Sequence, residues 1–198
     1  MWKVLWLATT VSALQLKALP AARPLALRAR AVALDATFVT DPSYNLAAGA
    51  ALLGTVCGAL EDKDADGVKL PTAKLFGGAA LVFVLFGAFL TFQTSTLRFT
   101  FSDAEFALVK SDLSTTGENV VVGGENKWRY DTFVNWDFLP SEEFPILVYF
   151  RETQTPAQSR EEVPIAVDSL DGQVHFFPAI SNTQQLKEQF VTHRCAKA

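Results

Sequence analysis

The chain has two cysteines and two histidines in 198 residues, scattered and too few to form a ligand cluster. Cys57 lies in an apolar run, Cys195 close to the end, and His175 inside "VHFF". A zinc-type site needs three or four such ligands converging, so the sequence predicts no metal centre and no cofactor. A disulfide between Cys57 and Cys195 would tie an apolar segment to the tail, and both thiols are expected to be free. Charged side chains are scarce as well, at 19% of the chain, against about a quarter in an ordinary soluble domain. Glycine-rich phosphate loops are missing. "GGEN" at 123–126 lacks both the spacing and the lysine-hydroxyl pair. No serine occupies a nucleophile elbow. Glu142-Glu143 and Glu161-Glu162 are adjacent in expected loops; neighbours on extended chain face opposite ways, so they read as solvated charge. No catalytic residue is predicted, and the protein is expected not to be an enzyme.

Acid is absent from the first 34 residues, which carry Lys3, Lys17, Arg23, Arg28 and Arg30. "MWKVLWLATTVSALQL" has one early lysine, an apolar stretch and a small-residue exit, the pattern of a secretory signal peptide. "KALPAARPLALRARAVAL" follows, rich in Ala, Leu, Arg and Pro like an organellar transit peptide. The pair predicts a two-part plastid presequence over residues 1–34. Competing readings are a single organellar presequence with an incidental apolar start, and an ordinary secreted protein. Residues 95–198, by contrast, hold fifteen acids against nine bases. Duplex binding needs clustered Lys and Arg, so nucleic acid is excluded as a partner.

Long uncharged runs are present, at 46–60 and 75–92. A membrane span needs about 20 helical residues, with about 17 the lower bound. The second run reaches that; the first does so only with Tyr44 and Asn45 included. Ala50, Gly54 and Gly58 recur every four residues, a small-residue edge for close helix approach, with Gly78 facing it from the second run. A transmembrane hairpin over 44–93 is predicted, with both ends on one side and an acidic loop at 61–74. A buried helix pair in a soluble protein is the alternative. "DKDADG" in that loop matches half of a calcium-binding EF-hand, but the closing acid is replaced by Ala73 and Pro71 interrupts it, so the motif fails.

From Leu97 the pattern alternates with period two. "LRFTF" sends Leu97, Phe99 and Phe101 to one face, and "FALVK" repeats the pattern. "KWRYDTFVNWDFL" reads as one long strand, with Trp128, Tyr130, Thr132, Val134, Trp136 and Phe138 facing the core. Arg129, Asp131, Asn135 and Asp137 lie opposite, a candidate partner surface, with Phe133 and Leu139. "FPILVYFRETQ" reads as a central strand buried on both faces. A turn at Asp171-Gly172 leads to a strand over 173–177. Ser181 with Gln184 suggests a capping box before a helix striped by Leu186 and Phe190. The fold class is therefore α+β: a transmembrane hairpin, then a small antiparallel barrel or sheet of pleckstrin-homology-like type over 95–195, closed by a C-terminal helix.

The segments "LRFTFSDAEFALVK", "ENVVVGGENKWRYDTFVNWDFLP", "FPILVYFRETQT" and "VHFFPAISNTQQLKEQF" resemble the cyanobacterial and plastid family catalogued as domain of unknown function 3119, over roughly 46–190. That resemblance implies a plastid membrane protein without an assigned activity, and brings no catalytic residues. Two functional expectations result. One is a thylakoid adaptor, assembly factor or accessory subunit of a photosynthetic membrane complex, with its β domain on the stromal side. The other is a lipid-binding module at the membrane surface, although a domain with excess acid offers no obvious basic patch for anionic headgroups.

Overall fold

The structure, a computed structural model, describes residues 37–60, 67–68, 71–117, 125–161 and 167–198. The expected presequence, the loop acids Asp62, Asp64 and Asp66, and the "NVVV" segment lie outside the described residues.

Two short strands bracket the apolar helices. Strand β1 (Phe38–Val39) precedes helix α1 (Asn45–Ala59), and helix α2 (Ala73–Thr96) runs without a loop into strand β2 (Leu97–Phe101). Strands β1 and β2 pair antiparallel, Phe38 opposite Phe101. Thr40 reinforces the junction by donating its amide and its hydroxyl to the Phe99 carbonyl, at 3.0 and 3.1 Å. The chain therefore leaves the sheet into α1 and returns from α2 at neighbouring positions. Arg98 donates to the Thr94 carbonyl at 2.7 Å, a cation placed where the helix dipole favours it.

The remaining strands are β3 (Glu105–Lys110), β4 (Lys127–Arg129), β5 (Phe133–Pro140), β6 (Pro145–Glu152) and β7 (Gln173–Pro178), followed by helix α3 (Thr183–Thr192). They form two antiparallel sheets, ordered β1-β2-β3-β4 and β5-β6-β7. The expected barrel does not close. The expected long strand over 128–138 is also broken, by a 3-10 turn at Tyr130–Thr132 that hands the chain from one sheet to the other.

That break shifts the alternation. Phe133 lies opposite Glu152 and Asn135 opposite Arg151, so Val134 is the extra residue of a β-bulge. One inserted residue swaps the faces. Phe133, assigned to the outer face by simple alternation, is buried with Trp136 and Phe138.

The two sheets meet over an aromatic core. Phe106 lies at its centre, with ring centroids 5.4 Å from Phe99, 5.6 Å from Phe150 and 5.1 Å from Phe190. Phe99 and Phe106 come from the first sheet, Phe150 from the second, and Phe190 from α3. Each side chain of this kind contributes on the order of 2–3 kcal/mol when fully buried. Ala47, Ala50 and Leu90 join the same core, so the near ends of α1 and α2 are built into the β domain.

Helix α3 buries Leu186 and Phe190 completely, the stripe expected from the sequence. Its cap is different: the Asn182 side chain accepts from the Gln184 and Gln185 amides, at 3.1 and 3.2 Å, one residue later than the predicted Ser181 box. The helix ends with Arg194 at φ 55°. The Arg194 amide donates to the Val191 carbonyl, and the Cys195 amide to Phe190, the paired bonds of a Schellman motif.

Candidate functional site

The helix seam is built from backbone contact. A Cβ on Gly54 would meet the Val84 side chain at 2.9 Å and the Ala80 carbonyl at 3.2 Å. On Gly87 it would meet the Ala47 carbonyl and the Ala51 amide, both at 3.3 Å. The order of these contacts makes α1 and α2 antiparallel. Of the predicted edge, Ala50 and Gly54 are buried, Ala50 lying against Gly87. Gly58 meets only the Ala80 methyl at 3.8 Å, and Gly78 has open space around it. The close approach on α2 falls at Gly87, which an uninterrupted apolar run does not single out.

Length separates the two helices. Among the described residues, α2 is the one helix long and apolar enough to cross a membrane. Helix α1 has 15 residues, about 22 Å at 1.5 Å per residue, short of a hydrocarbon core about 30 Å thick. Ahead of it, Pro42 bridges to Ser181 and the Ser43 amide donates to the Ile180 carbonyl, which keeps residues 42 and 43 out of the helix.

The four polar residues predicted as a partner surface divide among separate tasks. Arg129 and Asp131 pair with each other across the 3-10 turn, largely exposed, where such pairs contribute under about 1 kcal/mol. Asn135 donates to Asp168 at 2.9 Å. Asp137 accepts from Lys197 at 3.3 Å, and the same lysine covers the Trp136 ring.

Asp168 organises the outer face of the second sheet. It pairs with Arg151 at 2.8 Å and accepts from the Tyr149 hydroxyl at 2.5 Å. Burial opposes its charge, but bonds from Tyr149, Asn135 and the Leu170 amide, with the Arg151 guanidinium, hold its carboxyl below the usual range. Burial and the Asp168 bond push the Tyr149 phenol up to about 12. Arg151 also donates to the Gly172 carbonyl at 3.0 Å. Gly172 sits at φ 125°, with space for no Cβ: the Glu152 carbonyl would lie 2.6 Å away.

On the inner face Glu152 is fully buried. Its carboxylate accepts from the Thr155 amide at 2.8 Å, the Thr155 hydroxyl at 2.6 Å and His175 Nε2 at 3.0 Å. Burial raises its pKa, and the bonds from His175 and Thr155 outweigh that, leaving it below the ordinary value. The residue types are those of a hydrolase relay, but the order is not. In a relay the hydroxyl faces the imidazole and the carboxylate stands behind. Here both bind the carboxylate, and the His175 ring is packed between Phe150 and Trp128. The cluster fixes the β6–β7 edge.

Cys195 is buried under the turned-back tail, its carbonyl accepting the Trp136 indole N–H at 3.3 Å. Burial pushes its thiol up to about 12. Among the described residues, no three of His, Cys, Asp and Glu are arranged to hold a metal ion.

A groove of ≈ 540 Å³ opens where the helices meet the β domain. Leu53 of α1, Phe83 and Phe86 of α2, Phe144 of the β5–β6 turn and Ile146 at the start of β6 supply its apolar wall, and Ser181 lines it from the domain side. None of these residues stood out in the sequence as a group, because they come from four separated segments.

The family described as protein of unknown function (DUF3119) matches residues 38–195. No curated protein and no solved structure matches the chain. The matched span begins at β1 and ends at the cysteine whose carbonyl takes the Trp136 indole, so it takes in every strand and helix described above, and the chain belongs to the DUF3119 family.

Proposed function

We propose that this is a non-enzymatic protein of the plastid thylakoid membrane, acting as an adaptor, assembly factor or accessory subunit of a photosynthetic membrane complex. The observation that carries the membrane reading is the exposure of α2. Only 11% of its apolar window is buried, with Leu81, Val82, Leu85 and Phe92 each at least 60% exposed. A core helix of a soluble protein would be covered; this one needs an apolar surrounding that the described residues do not supply. Its hydroxyls support the same reading. Thr91 and Ser95 return theirs to the carbonyls four residues back, at 2.8 and 2.9 Å, so they ask nothing of a lipid environment.

Helix α2 is the span, and α1, shorter and wedged by Gly54 and Gly87, is its packed companion. The acid-free, basic leader supports a plastid address, and a stromal placement of the two-sheet domain goes with it. Its two open antiparallel sheets followed by a terminal helix support reading the domain as a pleckstrin-homology-like module. Uncovered apolar side chains along α2 offer other membrane helices a docking face. Affinity purification from gently solubilised thylakoids tests the reading. Stoichiometric recovery of subunits of one photosynthetic complex is expected. Recovery of the protein alone, migrating as a free species on native gels, would refute the adaptor role.

A further inference from the structure

Resting on the membrane reading above, the groove at the helix–domain junction carries a more specific assignment. Three observations converge on it. The first is an orphan: Ser181 is 1% exposed, lines the groove, and its hydroxyl oxygen has no hydrogen-bond partner among the described residues. Buried hydroxyls are nearly always paired, because leaving one unpaired carries the full desolvation penalty. The second is shape and lining. The volume falls within the range of about 300–1,000 Å³ common to small-molecule sites. Its apolar wall continues onto side chains that face outward from the helices, with Leu53 at 50% and Phe86 at 42% exposure. The third is charge. Ser43, Asn45 and Thr183 give the rim neutral hydrogen-bonding groups, and among the described residues Glu143 is the single charged one of the lining, with no Lys or Arg. A carboxylate at the mouth repels phosphate and sulfate headgroups.

We propose that this groove binds an uncharged, hydroxyl-bearing glycerolipid from the surrounding bilayer. One acyl chain lies between Leu53, Phe86 and Ile146, an ester carbonyl or glycerol oxygen bonds the Ser181 hydroxyl, and the neutral headgroup meets the rim. The lipid completes the polar accounting of the site and fills the wedge between the short helix and the β5–β6 turn. It thereby ties the domain to the membrane surface without a basic patch.

The test uses the full-length protein in phosphatidylcholine vesicles carrying a glycosyl diacylglycerol with a photoreactive acyl chain. Label is expected on peptides spanning Phe83–Phe86 and Phe144–Ile146, competed by unlabelled glycosyl diacylglycerol and not by phosphatidylglycerol. Ser181→Ala should weaken competition roughly fivefold, the worth of one neutral hydrogen bond. It should also melt at or above the wild type in lipid-free detergent and below it once the glycolipid is added. Gly49→Phe fills the groove from a position where an added Cβ meets nothing within 4 Å, and should abolish labelling while the protein still floats with vesicles. Label spread along Leu81, Val82 and Phe92 regardless of headgroup, or a Ser181→Ala variant indistinguishable from wild type in both lipid states, would overturn the assignment and leave the membrane reading intact. A wild type that fails to float would overturn both.

Discussion

Glycine-to-alanine substitution has opposite signs along the two apolar helices, and the seam geometry sets which sign applies. At Gly54 an added methyl lies 2.9 Å from Val84 Cγ2 and 3.2 Å from both the Ala80 carbonyl and the Val84 amide. Two of those three atoms are backbone, and the third belongs to a β-branched side chain with little rotameric freedom. The helices must separate. Overpacking of this kind costs about 1–3 kcal/mol, partly offset by the helix preference of alanine over glycine, up to about 1 kcal/mol. Gly54→Ala should therefore lose about 1 kcal/mol net, and Gly54→Leu should fall at the upper end of the overpacking range or beyond it. Gly87→Ala meets backbone at 3.3 Å, a milder contact, and should lie between neutral and Gly54→Ala. Gly78→Ala meets nothing within 4 Å and keeps the propensity gain. Since 1 kcal/mol moves the midpoint by about 2–4 °C in a chain of this size, Gly54→Ala and Gly78→Ala should melt on opposite sides of the wild type. Thermal unfolding in detergent, followed by tryptophan fluorescence, reads this directly. A Gly54→Ala protein as stable as Gly78→Ala would refute the seam.

Four further outcomes are expected. Glu152→Ala leaves His175 and Thr155 unpartnered in the interior and should cost about 3–5 kcal/mol. Glu152 and Asp168 are both held below their ordinary values of 4.5 and 3.8, so their stabilisation is complete above those values and disappears as pH falls through the lower, folded-state values. Chemical denaturation at successive pH values should show this acid loss, reduced in Glu152→Ala. The buried Cys195 thiol, raised to about 12, should resist a maleimide at neutral pH until the domain unfolds; labelling in the native state at the rate of a free thiol would contradict its burial. Arg194→Gly relieves a left-handed backbone that costs a non-glycine residue about 1–2 kcal/mol. Part of that is returned through the looser unfolded chain, so a gain of up to about 1 kcal/mol is expected in the same melting assay.

Local periodicity made much of this fold legible. "LRFTF", "FALVK" and "FPILVYF" each became the strands their alternation or apolar run predicts, and Leu186 with Phe190 marked the face of α3. What periodicity misses is a change of phase. The 3-10 turn at Tyr130–Thr132 and the bulge at Val134 moved Phe133 inward and split one expected strand between two sheets. Those features depend on how the sheets meet, which a single strand does not encode. Long-range pairings were equally hidden. Glu152 and His175 are 23 residues apart, and neither segment announces the other. Nor does the sequence show that Pro42 bridges to Ser181, the constraint that shortens α1. The groove depends on all of these at once, and its key residue appeared in the sequence only as a capping candidate.

Washing isolated plastid membranes with alkaline carbonate tests the proposed membrane anchor most directly, because it strips peripheral proteins while leaving a bilayer-spanning apolar helix, the role proposed for Ala73–Thr96, in place. The protein should stay entirely with the membrane pellet, and detergent alone should release it. Recovery in the alkaline supernatant would contradict the membrane anchor, and with it both the docking role and the lipid site.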